Sequence, residues 1–323
     1  MRAASVNGGR AGCCYNAAAP MPLAGSIIIV TFNSAEHIGA CLASVQDAEW
    51  ERIVVDNASR DATLALARAV AGVDVLANSE NRGFAAAANQ GARAARGELL
   101  LFLNPDVVAE PGALAALRAA VAPERVVAAG ACLLNPDGST QAGFAVRRFP
   151  TLATMLAEIL LLNRLLPGNP WNRRYRCLDF DYERAAEVEQ PAGACLLVRR
   201  SAWDAAGGFE ERFFPLWFED VDLCRRLRAG GGTILYEPRA RFRHAGAHSL
   251  ESIAPADRQL FWYRNLLRYF RKHHGALSVG VLRAAIFFGM LLRIAAAAFG
   301  AGKDAGPGAY AQVIRRCVFG GEE

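Results

Sequence analysis

Ser26-Ile27-Ile28-Ile29-Val30-Thr31-Phe32 is the first regular run of the chain and sets its fold class. Its β-branched, uncharged centre shows no polar alternation, as expected of a parallel strand buried on both faces. Asn33-Ser34 follows as a helix N-cap, with His37, Ile38, Cys41, Leu42 and Val45 at helical spacing. The pattern then repeats. A strand over 52–56 precedes a helix over about 62–71, and a strand over 73–76 precedes an Ala-rich helix over 84–96. A fourth strand occupies 98–103. Strands alternating with helices of this length predict βαβ units and a parallel sheet, hence an α/β protein.

The composition supports a well-buried core. Of 323 residues, 53% are hydrophobic and 21% charged, which excludes global disorder. A net charge of +5 suits an anionic ligand or a membrane surface, and equally an Arg-rich proteome; no nucleic-acid partner is expected. The eight cysteines form no CxxC pair and no Cys/His zinc spacing, so a reducing, cytosolic compartment is expected. Residues 1–24 lack the apolar stretch of a secretory signal and read as a disordered tail.

After residue 110 the rhythm changes. The stretches 126–134 and 141–146 flank the turn Asn135-Pro136-Asp137-Gly138 and predict a β-hairpin. An insertion over 150–189 carries a Leu-rich helical stretch over 155–166, then an aromatic, Arg-rich one with Trp171, Arg173, Arg174, Tyr175 and Arg176. A strand over 194–198, helices from near Ser201 and Glu219, and short strands over 233–236 and 241–243 follow. Residues 255–274 predict a strong helix. Residues 25–274 thus read as one domain, with halves 25–110 and 111–274, followed by an apolar C-terminal segment over 275–323. Its uncharged runs are too short for an ordinary spanning helix, being broken by Arg283 and Arg293. Two readings stand for it: an in-plane amphipathic helix docking on the cytoplasmic leaflet, or a packed helix or dimer contact.

In open α/β sheets ligands bind beyond the C-terminal strand ends. Here those ends carry Thr31 and Asn33, Asp56 and Asn57, and Asn104 and Asp106. Asp56 reads either as an Asx cap before Ser59 or as the acceptor for N3–H of a uracil or thymine ring. Asn104-Pro105-Asp106 ends a buried strand, where a metal-bridged pyrophosphate needs a hard oxygen ligand; the copy Asn135-Pro136-Asp137 precedes Gly138 and reads as a turn. Gly83 at a helix start fits an anion, and Arg82 is either a phosphate contact or a loop residue. The densest acidic cluster, Glu219-Asp220-Val221-Asp222, follows the aromatic run Phe213 to Phe218, which includes Trp217. Acids at a helix start complement its dipole by about 0.3–1 kcal/mol each, but that leaves the aromatic run unexplained. A carboxylate beside apolar rings is desolvated and gains strength as a base. His244 enters a Gly-containing loop and fits a metal site with Asp106. Arg264 lies on the basic side of the 255–274 helix, facing solvent by default and phosphate or lipid headgroups in the sharper reading.

Taken in order, these residues resemble the large inverting glycosyltransferase family 2, and within it the rhamnosyltransferase-like members. The resemblance rests on Ile28-Ile29-Val30-Thr31-Phe32-Asn33, Val54-Val55-Asp56-Asn57-Ala58-Ser59, Asn81-Arg82-Gly83-Phe84 with Asn89-Gln90-Gly91, and Leu103-Asn104-Pro105-Asp106. It continues through residues 193–200, Gly207-Gly208-Phe209-Glu210, Phe218-Glu219-Asp220-Val221-Asp222-Leu223 and His244-Ala245-Gly246. It implies a GT-A fold, a Rossmann-like and mostly parallel central sheet with flanking helices, plus C-terminal helices. It also implies a divalent metal, Mg²⁺ or Mn²⁺, on Asp106 with His244. Asp56 would contact the base and Asn104 the ribose or metal, with Thr31, Asn33, Asn57, Arg82 and Gly83 completing the donor pocket. The Glu-Asp motif places the catalytic base on Asp220, with Glu219 as a neighbour that positions the acceptor; Trp217, Asp222 and Arg264 would lie toward the acceptor.

The implied reaction is in-line attack of an acceptor hydroxyl on the anomeric carbon of a dTDP- or UDP-sugar, with inversion. Asn-Pro-Asp replaces the Asp-x-Asp of many relatives, which predicts weaker metal binding. It is typical of the rhamnosyltransferase-like members and points to dTDP-L-rhamnose, with a glycan or lipid-linked acceptor in cell-surface polysaccharide synthesis. The expected location is the cytoplasm, peripheral on the inner face of the plasma membrane. The rivals are a sugar-nucleotide transferase releasing pyrophosphate, which needs a Gly-rich basic loop unlike Thr31-Phe32-Asn33-Ser34, and an inactive binding module.

Overall fold

In the computed structural model, which describes residues 23–246, 253–298 and 306–320, the alternating first third folds as its pattern predicts. Strands β1 (Gly25–Thr31), β2 (Trp50–Asp56), β3 (Val73–Ala77) and β4 (Leu99–Leu103) are separated by α1 (Ile38–Ser44), α2 (Thr63–Ala69) and α3 (Phe84–Ala94). All four strands pair in parallel, in the order β3-β2-β1-β4. Both faces of β1 are covered: Ile27 and Ile29 pack with Ile38, Cys41 and Leu42 of α1, and Ile28 packs with Ala87 and Ala88 of α3. That two-sided burial is why the run is apolar throughout. Of the tail expected over 1–24, all but the last two residues lie outside the described residues.

Beyond β4 the sheet becomes mixed. The chain continues through β5 (Val107–Ala109), α4 (Ala113–Ala120), β6 (Val126–Leu134), β7 (Val146–Arg147), α5 (Leu152–Ile159), α6 (Leu162–Leu165) and α7 (Pro170–Tyr175). Then come β8 (Ala186–Glu187), β9 (Gln190–Pro191), β10 (Cys195–Arg199), α8 (Arg200–Ala206), α9 (Glu219–Ala229) and β11 (Thr233–His244). The sheet order extends as β4-β10-β6-β11-β5, with β10 antiparallel to both its neighbours and β6 parallel to β11. β7 and β9 form a separate two-stranded ladder, Val146 opposite Pro191 and Arg147 opposite Gln190.

Three local expectations are corrected. The hairpin over 126–146 does not form: β6 is buried on both faces and pairs with β10 and β11, and a single bridge, Leu134 to Thr140, crosses the turn. The turn itself is present, with Gly138 at φ 85°. The strands expected over 233–236 and 241–243 are one strand, β11, whose register shifts between Glu237 and Arg241. The Leu-rich helix breaks into α5 and α6 at Leu161, which takes φ 65°.

The C-terminal part is α10 (Pro255–Ala298) and α11 (Pro307–Val313), which ends in a π-turn over Ile314–Val318. Gly275, at φ 82° and ψ 175°, leaves helical geometry and divides α10 near the expected boundary. On both sides of the break one face is buried: Leu266 and Phe270, then Val279, Leu282, Ile286 and Met290, pack with Met155, Ile159, Phe213 and Phe218. The other face exposes Leu277, Val281, Phe288, Leu291 and Leu292. With Arg283 and Arg293 tolerated, α10 is by length and composition long and apolar enough to cross a membrane, with mean hydropathy 1.9 over its best window, contrary to the count of uncharged residues alone. A third of that window is buried against the protein.

Candidate active site

The β5–β11 pairing makes the first half of the site. His244 ends β11 opposite Val107, one residue past Asp106, and the Ala245 N–H donates to the Asp106 carbonyl. The side chains meet: His244 Nε2 lies 3.5 Å from Asp106 Oδ2, both groups nearly buried. Gln141 fixes the imidazole. Its Nε2 donates to the His244 carbonyl at 2.9 Å, which turns its Oε1 toward His244 Nδ1 at 2.8 Å. Nδ1 is therefore the protonated nitrogen, and Nε2 presents a lone pair to a carboxylate. Burial holds the imidazole pKa below its ordinary value against the pull of Asp106. Asp106 Oδ1 is buried without a hydrogen-bond partner. A lone pair and an unsatisfied carboxylate facing one another fit a cation between them. No cluster of three or more His, Cys, Asp or Glu side chains suited to a metal occurs among the described residues, so such an ion would take its remaining ligands from substrate and water. Asp106, His244 and His37 line a cavity of about 270 Å³.

The neighbouring strand ends brace one another. Thr31 Oγ1 donates to Asp56 Oδ1 at 2.9 Å, and Ser59 donates to Asp56 through its N–H at 3.0 Å and its hydroxyl at 2.5 Å. Asp56 thus makes the Asx turn that one of its two readings foresaw, at 1% exposure. Asn57 Nδ2 donates to the Gly83 carbonyl and its Oδ1 accepts from Asn78, tying β2, β3 and α3 at the same edge. Asn33 accepts from the Arg60 N–H. Asn104 sits at the same edge, its N–H donating to the Ala194 carbonyl. Gly83 departs from its expected use: its φ is 79°, a Cβ there would stand 2.8 Å from Phe214, and the Phe84 N–H donates to Pro215 O. The start of α3 is closed by that loop rather than open to an anion. Arg82 is exposed.

The second half of the site is the start of α9. Trp217 and Phe218, both bulky, take left-handed φ of 76° and 75° immediately before Glu219. Strain of this kind persists where packing enforces it, and here Phe218 is buried against Trp262 and Tyr269. The turn sets Asp220 half-buried, with Oδ2 accepting from the Gly193 N–H at 3.0 Å and Gln190 Nε2 at 3.3 Å. Burial pushes the Asp220 pKa up, against the two N–H groups of Gly193 and Val221 and the Arg147 charge. Glu219 is pushed well above the carboxylate range by burial and by Asp220, and its Oε2 has no partner. Both carboxyl groups are pushed up by burial, and Asp220 is the one whose ionised form is favoured by the N–H groups of Gly193 and Val221 and the charge of Arg147.

Asp222 is corrected as an acceptor contact. It is fully buried on the far side of α9, where Arg226, Lys272 and His273 close around it at 2.7–2.8 Å. Burial opposes its charge, but the hydrogen bonds of His273 and Lys272 and the Arg226 charge outweigh that and bring its pKa down to about 2. Arg264 lies beside Cys317 of the π-turn, and no hydrogen bond joins it to the acidic motif among the described residues. Trp217 packs partly buried at the edge of the C-terminal core. A larger cavity of about 540 Å³, lined by Arg93, Trp203, Glu211 and Lys272 among others, holds neither Asp106 nor Asp220. Gln141, Gln190 and Arg147 stand beside these side chains without a signal in the sequence, whereas Gly193 opens the stretch 193–200 that the family resemblance includes.

The chain is similar to known proteins in sequence and in fold. The family described as Glycosyl transferase family 2 matches residues 26–203. An N-acetylglucosaminyl-diphospho-decaprenol L-rhamnosyltransferase of Mycobacterium tuberculosis is 33% identical over 278 residues, covering 75% of this chain and 87% of its own. Rhamnosyltransferase WbbL of Escherichia coli is 26% identical over 234 residues, 70% of this chain and 85% of its own. Among solved structures, the mannosyltransferase PcManGT of Pyrobaculum calidifontis, in complex with GDP-Man and Mn²⁺, superposes with TM-score 0.51 at 20% identity over 89% of this chain and 77% of that one. GalNAc-T7 with UDP, GalNAc and Mn²⁺ gives 0.52 at 16% identity over 69% and 44%. These likenesses at low identity establish the shared fold. The family match over more than half of the chain and the relative at 33% identity show that this protein belongs to glycosyltransferase family 2.

Proposed function

We propose that the chain transfers L-rhamnose from dTDP-L-rhamnose to a hydroxyl of a lipid-linked sugar diphosphate, with inversion, in cell-surface polysaccharide synthesis. The observation that carries this is Asp220: a half-buried carboxyl with one oxygen fixed by Gly193 and Gln190, its pKa pushed up by burial, next to a Glu219 pushed higher still. Such a group is placed to take the proton of an attacking hydroxyl. Asp106 and His244 would hold Mg²⁺ or Mn²⁺, which when bound supplies Lewis-acid stabilisation to a diphosphate leaving group. Asp56, held rigid by Thr31 and Ser59, keeps the strand edge in one shape for the nucleotide base. The sugar and the acceptor class follow the Mycobacterium tuberculosis relative, whose name specifies rhamnosyl transfer to a decaprenyl diphosphate sugar, and the dTDP carrier follows the family resemblance of Asn104-Pro105-Asp106. The exposed apolar face of α10 is where the enzyme would meet a membrane carrying such an acceptor.

The test is direct. Incubation with dTDP-L-rhamnose and a prenyl-diphospho-N-acetylglucosamine, read by mass spectrometry, should yield the acceptor plus one deoxyhexose. UDP- and GDP-sugars should give little product, and product from those alone would reject the donor.

A further inference from the structure

Just before the Arg-rich insertion, one arginine stands beside Asp220 without an acidic partner among the described residues. Arg148 pairs with Glu189, Arg173 with Asp179 and Arg176 with Glu158. Arg147 makes no ion pair among the described residues. Its Nε donates to the Gly143 carbonyl at 2.9 Å, and its guanidinium lies over the rings of Phe144 at 5.6 Å and Tyr175 at 5.9 Å. The β7–β9 ladder sets Arg147 opposite Gln190, the residue that donates to Asp220. On its other side Phe144 stacks against His244 at 5.2 Å and 16°. Arg147 therefore stands between the His244–Asp106 pair and Asp220, its terminal nitrogens without a hydrogen bond among the described residues, its orientation fixed by two aromatic rings and a ladder.

We infer that Arg147 is a binding residue for a substrate diphosphate beside Asp220, an assignment that rests on the transferase reading above. A planar guanidinium held in one orientation presents two parallel N–H donors, which suits a diphosphate better than a lysine ammonium does. A guanidinium serving only as counter-charge to Asp220 would be expected to bond it directly, yet both Asp220 oxygens take their hydrogen bonds from Gly193, Gln190 and Val221. Two sources offer the group: the nucleoside diphosphate of the donor and the lipid diphosphate of the acceptor.

Calorimetric titration of inorganic pyrophosphate in EDTA, where no metal contributes, tests the assignment. Arg147→Ala should weaken binding about tenfold or more, and Arg147→Lys should recover only part of it. Steady-state constants then separate the sources. A raised KM for prenyl-diphospho-N-acetylglucosamine with unchanged dTDP affinity assigns the acceptor, and a loss of dTDP affinity assigns the donor. Unchanged pyrophosphate affinity in a folded Arg147→Ala protein overturns the inference, even if the acid limb of its pH profile moves, because a mere counter-charge would act in that way. If the alanine variant fails to fold, Arg147→Gln serves in its place. Failure of the rhamnosyl reading is separate: wild-type protein would then transfer nothing from dTDP-L-rhamnose while still binding pyrophosphate.

Discussion

Gly193 and Asp220 are packed so closely that a Cβ on Gly193 would stand 2.9 Å from Asp220 Cβ and 3.0 Å from its Oδ2. The same glycine donates its N–H to that oxygen. Asp220, the proposed base, is thus placed by an absent side chain as much as by a hydrogen bond.

Gly193→Ala should therefore displace the base without unfolding the protein. Misplacement by about 1 Å costs on the order of 10²-fold in rate, so kcat should fall by about that much while the donor KM stays within twofold. Steady-state kinetics beside a thermal melt checks it; wild-type kcat would show that the contact does not position Asp220.

The pH profile follows from the raised pKa of Asp220. A base works ionised, so kcat/KM should fall as pH drops through that pKa, above the ordinary aspartate value of about 3.9. Arg147 lowers it, so removing that charge should move the acid limb upward. A limb at or below the ordinary value would assign the titration to another group.

Asp222 governs stability rather than turnover. Its pKa is depressed to about 2, so the ionised carboxylate stabilises the fold above its unfolded value and that stability is lost as pH falls from about 4 toward 2. Arg226 and Lys272 are partly exposed, so roughly 2 kcal/mol is expected for the network. Asp222→Ala leaves the Arg226 and Lys272 charges and the His273 ring facing a cavity and should cost about 3 kcal/mol in urea unfolding, with that acid dependence removed. An unchanged unfolding midpoint would contradict the role.

Gln141 holds the His244 tautomer, and ligand-orienting partners of this kind are worth about 10–100-fold in metal affinity. Gln141→Leu should weaken Mn²⁺ binding by that range and Asp106→Ala should abolish it, both read by calorimetry. Chelation should stop transfer by the wild type. Equal Mn²⁺ affinity in all three proteins would place the metal elsewhere.

What the sequence discloses divides by the range of the interaction. The buried run 26–32 is legible because burial on both faces leaves a composition that needs no partner to interpret. Asp106, Asp220 and His244 are legible because their chemistry is odd where it stands, after an apolar strand, after aromatic residues or before a glycine. The hairpin over 126–146 is misread because a turn signal is local, whereas the choice of β10 and β11 as partners of β6 is made across the whole sheet. Asp222 and Asp220 look alike in sequence, and only the helix places one against Gly193 and the other against Lys272 and His273. Gln141 acts through a hydrogen bond to a residue 103 positions away, which no local pattern records.

Asp220→Asn tests the central claim most directly, because it keeps the shape of the side chain and removes its charge. With dTDP-L-rhamnose and a prenyl-diphospho-N-acetylglucosamine acceptor, transfer should fall by at least about 10³-fold while calorimetry returns wild-type dTDP affinity. Turnover within tenfold of the wild type would show that Asp220 is not the base.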